Sequence, residues 1–128
     1  RVRLFRSHCP DYGHSQQVRD FIYVKDAVAM TLFFLDNPDI NRLFNIGTGT
    51  ARSWNDLAGA VFAAMGKPPV IDYIDMPEKL RDKYQYFTQA DMTKLHAAGC
   101  TAPTTKLEDA VKDYVQNYLA KDDYLGTA

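Results

Sequence analysis

The chain has little of what most site chemistries need. Its two cysteines, Cys9 and Cys100, lie far apart with no partner at metal-ligand or redox spacing, so both are expected as reduced thiols of a cytoplasmic protein. There is no G-x-x-G-x-x-G or G-x-G-x-x-G phosphate loop and no Tyr-x-x-x-Lys pair, which excludes a dinucleotide cradle and a catalytic dyad of that kind. The strongest apolar run, Ala27 to Leu35, is far below the ~20 residues that cross a bilayer. A net charge of -1 and a pI near 6.3 give no field that would gather nucleic acid or an anionic membrane, so neither is expected as a partner. Any anion must be held locally. The chain has no initiator Met and no charged-then-apolar leader; it begins Arg1-Val2-Arg3-Leu4-Phe5, and with the absent loop and dyad this gives the expectation of a fragment.

What is present suits a single core: 128 residues, 46% hydrophobic and 24% charged. The organising stretch is Arg19 to Asp26 with the apolar run behind it. Phe21 to Val24 is predicted as a short strand, Asp26 as the N-cap of a helix from Ala27 to about Asn37 that is apolar on nearly every side and therefore buried. Asn37-Pro38-Asp39 ends it. From the residue alone Arg19 has two readings, an anion clamp whose forked donors suit phosphate or carboxylate, and a surface Arg paired with Asp20 or a nearby carboxylate. Val2 to Phe5 is a strand candidate, and residues 6–17 form an aperiodic loop. His8, Cys9, Asp11 and His14 in that loop match no trusted metal spacing, and no metal is assigned. Leu43 to Ile46 is predicted as a strand, with Gly47-Thr48-Gly49 either a phosphate turn or an ordinary strand-to-helix turn.

Ser53-Trp54-Asn55-Asp56 has capping-box spacing, and the helix it opens stops at Gly66, with Trp54 in a packing role. Val70 to Ile74 reads as a strand. Met76 to Lys83 is a charged connection. It leads to Tyr84-Gln85-Tyr86-Phe87, whose aromatics either fold back on the core or, at Tyr84, enter a ligand cleft; Tyr86 and Phe87 are placed in the core. Thr88 is read as a cap with Asp91, opening a helix to Gly99, and Thr105 to Glu108 as a second capping box for a helix to Leu119. Those two helices are expected to form a small lobe, with residues 121–128 a frayed tail. His96 is read as a surface residue. Strands separated by helices imply an α/β fold with parallel pairing.

Three stretches together, Arg19 to Asp26, Leu43 to Gly49 and Tyr84 to Asp91, the last preceded by Pro77, Lys79 and Leu80, resemble the C-terminal part of nucleotide-sugar epimerases of the extended short-chain dehydrogenase/reductase family. The likeness runs from Arg3 to Leu119 and is nearest the branch acting on ADP-heptose. It implies a Rossmann-like α/β enzyme, an isomerase of surface-polysaccharide (lipopolysaccharide core) synthesis and a homo-oligomer, in which residues 1–120 are the substrate-binding region. NADP, or NAD, would be bound by an upstream half that also carries the acid/base residues, leaving this chain inactive alone. Carried over position by position, Arg19 grips the diphosphate and Tyr84 the phosphate or sugar. Phe5, Arg6, Ser7 and His8 form a turn against the substrate, with Arg6-Ser7 standing where Glu-Gly is expected. Within the family the alternatives are a UDP-sugar 4-epimerase and a dTDP-glucose 4,6-dehydratase. Outside it, the alternative is a non-catalytic nucleotide-binding or interaction module. A fragment of a larger α/β core is expected to expose apolar surface.

Overall fold

Alternating apolar positions put β1 at Val2–Phe5, and the computed structural model, which describes residues 1–122, pairs it in parallel with the strand Ile71–Ile74, Val2 opposite Ile71 and Phe5 opposite Ile74. Between them the chain forms β2 (Val18–Arg19), α1 (Val24–Asp36), β3 (Arg52–Ser53) and α2 (Trp54–Ala64), which makes Ile71–Ile74 strand β4. After β4 come α3 (Glu78–Arg81), α4 (Thr93–Ala97), α5 (Leu107–Asn117) and a 3-10 turn at Leu119–Lys121. β2 pairs antiparallel with β3, and Val18 is bridged on its other side to Phe87. Strands alternating with helices bear out the α/β class.

Several boundaries differ from expectation, each for a visible reason. The strand predicted at Phe21 to Val24 lies upstream at Val18–Arg19, where β3 and the segment before Thr88 supply partners; Val24 already opens α1. Asp26 is not the N-cap, which is Tyr23. The Asp26 carboxylate is buried in the first turn and accepts from the Thr105 amide (2.6 Å) and hydroxyl (2.8 Å). That bond takes Thr105 out of its predicted capping box, and α5 starts at Leu107 with no side-chain cap. Thr88 does not cap a helix either: its amide donates to the Val18 carbonyl, and α4 starts at Thr93, whose amide donates to Asp91. The box at Ser53 and Asp56 is formed in both directions. Gly66 and Gly99, at φ 65° and 90°, end their helices where expected.

The core gathers Met30 of α1 with Met92, Leu95 and Cys100, and Phe33, Phe34 and Phe44 pack against it. The opposite side of α1 was expected to be buried and is not. Val24, Val28, Leu32 and Leu35 are between 49% and 73% exposed, and they recur at a helical interval as one apolar stripe. Leu43 to Ile46 forms no strand, because nothing pairs with it among the described residues; Leu43 is 88% exposed. In place of a two-helix lobe, α4 joins the α1 cluster while α5 packs on α2. The tail expected from residue 121 begins with Lys121 inside the 3-10 turn; residues 123–128 lie outside the described residues. Both cysteines are free thiols, and no helix among the described residues is long and apolar enough to cross a membrane.

Candidate functional site

β2 delivers Arg19 and Asp20 side by side, and the two face different company. The Asp20 carboxylate accepts from the amides of Thr48 (2.8 Å), Gly49 (2.9 Å) and Ala90 (2.9 Å) and from the Thr48 hydroxyl. Burial pushes this carboxyl up, but the Thr48 hydroxyl and the Ala90, Thr48 and Gly49 amides outweigh it and hold the group below the ordinary aspartate range. Gly47 makes the approach possible: a Cβ there would stand 2.5 Å from the Ala90 Cβ and 2.8 Å from an Asp20 oxygen. The Thr48 and Gly49 amides, which could have cradled a phosphate, are therefore filled by an internal carboxylate. Neither reading of that motif stands as expected: its amides are taken by Asp20, and the turn follows no strand and leads to β3 before any helix.

Arg19 does not pair with Asp20, nor with any carboxylate among the described residues. Its guanidinium donates to the carbonyls of Val18 (2.9 Å) and Gln85 and lies 5.3 Å from the centroid of the Tyr84 ring. A guanidinium has five N–H donors, so this arrangement leaves donors over. The Tyr84 ring stands edge-on to Phe5 at 6.3 Å and to Tyr86 at 5.7 Å, and its hydroxyl has no hydrogen-bond partner among the described residues. Phe5 closes β1 at the carboxyl end of the parallel pair, the edge where open α/β sheets take ligands.

The turn after Phe5 divides. Arg6 is turned to Asp75 in an exposed ion pair of 3.4 Å. Ser7 is closed on its own loop, its hydroxyl donating to the Cys9 carbonyl (2.8 Å) and accepting the Cys9 amide (3.2 Å), while its amide donates to His14 Nδ1. His8 instead meets the aromatic cluster, with Nδ1 2.7 Å from the Tyr86 hydroxyl. Arg19, Tyr84, Phe5 and, through Tyr86, His8 are thus brought together; the side chains of Arg6 and Ser7 are engaged elsewhere. No group of three or more His, Cys, Asp or Glu among the described residues is arranged to hold a metal.

Tyr86 was placed in the core from sequence, as was Phe87. Tyr86 is half-buried in the cluster with Tyr84, His8 and Tyr12, and Phe87 is 59% exposed beside Thr48, Gln89 and His96. Period-two alternation in an extended run could have found this, since residues 84 and 86 share a face that 87 cannot. Asp20, read only as a possible partner for Arg19, carries the largest set of hydrogen bonds around the site. Separately, an apolar cleft of about 540 Å³ lies between the start of α1, α2 and α5, lined by Phe21, Tyr23, Leu57, Leu107 and Tyr114 among others, and none of the residues carried over from the family lines it.

A model of the NAD dependent epimerase/dehydratase family matches residues 5–47. The ADP-L-glycero-D-manno-heptose-6-epimerase of Nitratidesulfovibrio vulgaris (strain DP4) is 59% identical over 122 residues, covering 95% of this chain and 38% of that protein. Among solved structures, the UDP-N-acetylglucosamine 4-epimerase from Methanobrevibacter ruminantium M1, in complex with UDP-N-acetylmuramic acid, is similar with a TM-score of 0.71 at 22% identity, covering 86% of this chain and 34% of that one. MoeE5 in complex with UDP-glucose and NAD is similar with a TM-score of 0.64 at 27% identity, covering 85% and 34%. The resemblance read from the three motifs is borne out, as is the Rossmann-type α/β class. The chain spans about 38% of the length of that curated relative.

Proposed function

We propose that residues 1–120 are the substrate-gripping region of a longer nucleotide-sugar epimerase, and that the sugar nucleotide is an ADP-linked heptose destined for surface polysaccharide. The observation that carries the reading is the Arg19 and Tyr84 pair: a charged fork with donors to spare, stacked on a ring whose hydroxyl has no partner among the described residues. The fork suits the charge of a diphosphate, and the ring with its hydroxyl suits a sugar or phosphate. The likeness to the heptose epimerase supplies the sugar. The apolar stripe of α1 and the unpaired segment 43–46 support the longer body, since a further α/β layer would bury the one and pair the other.

The residues present do not fit a nicotinamide dinucleotide. No glycine-rich loop is available, and the glycine-flanked amides that exist are held by Asp20. The hydride and proton steps are accordingly assigned to residues outside this chain, and its contribution is orientation. Binding energy from the non-reacting diphosphate fixes the reacting carbon, which lowers the barrier as effectively as a chemical group.

The test is turnover by the full-length protein that contains this chain, offered ADP-D-glycero-D-manno-heptose, UDP-glucose and dTDP-glucose in turn. Inversion of the heptose at C6, with no change to the other sugars, is the expected outcome. Inversion of the UDP-sugar at C4 or dehydration of the dTDP-sugar would replace the substrate assignment. Binding of a nucleotide without turnover of any sugar would replace the enzyme with a binding module.

A further inference from the structure

We propose that Tyr86 is a positioning residue of this site, a clasp that holds the front of the 6–17 loop against the Arg19 and Tyr84 pair. The proposal rests on the substrate-gripping reading above and specifies how the grip is preformed.

The position of Tyr86 is set by the same strand that sets Arg19. The Val18 amide donates to the Tyr86 carbonyl at 2.9 Å and the Thr88 amide to the Val18 carbonyl at 3.2 Å, so the segment is held on both sides of Tyr86 against the residue preceding Arg19. Its side chain then meets three residues. One edge meets Tyr84 at 5.7 Å and 80°. Tyr12 lies tilted against the ring at 4.9 Å and 38°. The hydroxyl shares a hydrogen bond of 2.7 Å with His8 Nδ1.

Among the described residues, the loop's other hydrogen-bond and ring anchors to the body lie at its ends. Its far part is fixed by the Ser15 hydroxyl on the Phe5 carbonyl (2.7 Å), by Asn55 on the His14 carbonyl (2.9 Å) and by the His14 ring beside Tyr73 at 5.7 Å. Its first residue is tied to β4 through the Arg6 amide on the Ile74 carbonyl. From His8 to Tyr12, every hydrogen bond and ring contact among the described residues either stays inside the loop or goes to Tyr86. One side chain therefore fixes the stretch of loop that carries His8, and the same ring packs against the edge of Tyr84. A loop ordered before the ligand arrives gives up less conformational entropy on binding, so the clasp should be read in affinity and not in the chemical step.

The experiment uses the full-length enzyme with ADP-heptose and the variants Tyr86→Phe, Tyr86→Ala, His8→Ala and the Tyr86→Phe/His8→Ala double, with Arg19→Ala as the reference for the site. KM and kcat are measured for each, and amide hydrogen exchange across the loop is followed in the ligand-free protein. Tyr86→Phe should raise KM by about threefold to tenfold with kcat little changed, the range expected for one hydrogen bond. Tyr86→Ala should raise it further. The double variant should be no worse than the worse single one, because both remove one bond. Exchange should quicken at residues 8–12 and stay as it was at 13–17, a readout that loss of overall stability would not produce. If Tyr86→Ala leaves KM unchanged while Arg19→Ala raises it, the site stands and the clasp falls. If KM rises with no change of exchange at 8–12, Tyr86 meets the substrate itself and the positioning role is overturned. If Arg19→Ala also leaves KM unchanged, the site falls and the clasp with it. Should Tyr86→Ala fail to fold, Tyr86→Phe, which keeps the ring, decides alone.

Discussion

Arg19 and Asp20 are neighbours in one motif, yet one is spent entirely on the protein and the other only in part. Asp20 gathers four hydrogen bonds from two distant segments, Gly47-Thr48-Gly49 and Gln89-Ala90. Arg19 gives two to nearby carbonyls, stacks on Tyr84 and keeps donors in reserve. The difference explains why the three stretches that carry the family resemblance come together in space. They converge on the Asp20 carboxylate, so much of what makes them recognisable is assembly of backbone, and the grip proposed above draws on the few side chains on the Arg19 side.

Removing each neighbour should therefore break a different property. Asp20→Ala leaves the Thr48, Gly49 and Ala90 amides without their acceptor, and stability should fall by about 3 kcal/mol, the sum of several partly buried donors. Urea unfolding of the purified protein measures it; a midpoint equal to wild type would show that the three segments are held by something else. Gly47→Ala attacks the same junction by crowding, forcing a methyl into space held by Ala90 and Asp20. A loss of about 2 kcal/mol is expected, with the slope of the unfolding curve unchanged. Arg19→Ala should leave more of the stability intact than either and instead raise KM for the sugar nucleotide, by about 1.5 kcal/mol, or roughly tenfold. A variant that unfolded like Asp20→Ala with unchanged KM would erase the distinction between the two residues. Smaller still is the split at Tyr84. Tyr84→Phe should cost about 1 kcal/mol of substrate binding and Tyr84→Ala more, because only the latter also removes the ring beneath Arg19. Equal losses would reduce Tyr84 to a hydroxyl.

The same contrast governs what could be read in the sequence. Local rules performed well where the partner is local: the Ser53 and Asp56 box, the stops at Gly66 and Gly99, and strand Val2–Phe5 are all present. They failed where a distant segment claims the group. Asp26 and Thr105 each look like caps and instead bond one another across 79 positions, and Thr88 is drawn to Val18. Propensity placed a strand at the aromatic Phe21 to Val24, but the pairing partners lie upstream, at Val18–Arg19. α1 was read as buried all round from its apolar content, and one whole face is bare in this chain. At the site, the residues alone left both Arg19 and Tyr84 open between a ligand and a bland role, and the family resemblance favoured the ligand; the structure places the two in contact. Tyr86 and Phe87 were both placed in the core because each is aromatic, where the period-two alternation of residues 84 and 86 against 87 already separates them. The substrate itself is legible in neither pattern nor geometry alone.

The last separation between the neighbours is by pH. Asp20 titrates below its ordinary value because the folded protein stabilises its charged form; its contribution to stability is then complete above the unfolded carboxylate pKa of about 4 and is lost as pH falls through the lower, folded value. Unfolding free energy followed from about pH 6 to about pH 3 should decline for the wild type, and less steeply for Asp20→Asn, with the two curves converging at the acid end. The variant keeps some slope. Asp56, held below its ordinary value against burial chiefly by the Ser53 amide and by Arg52, and Glu108, held down by Arg52, still titrate in it. Parallel curves would mean that the charge of Asp20 is worth no more folded than unfolded, and the junction would then rest on the shape of the carboxylate and the fit at Gly47 alone.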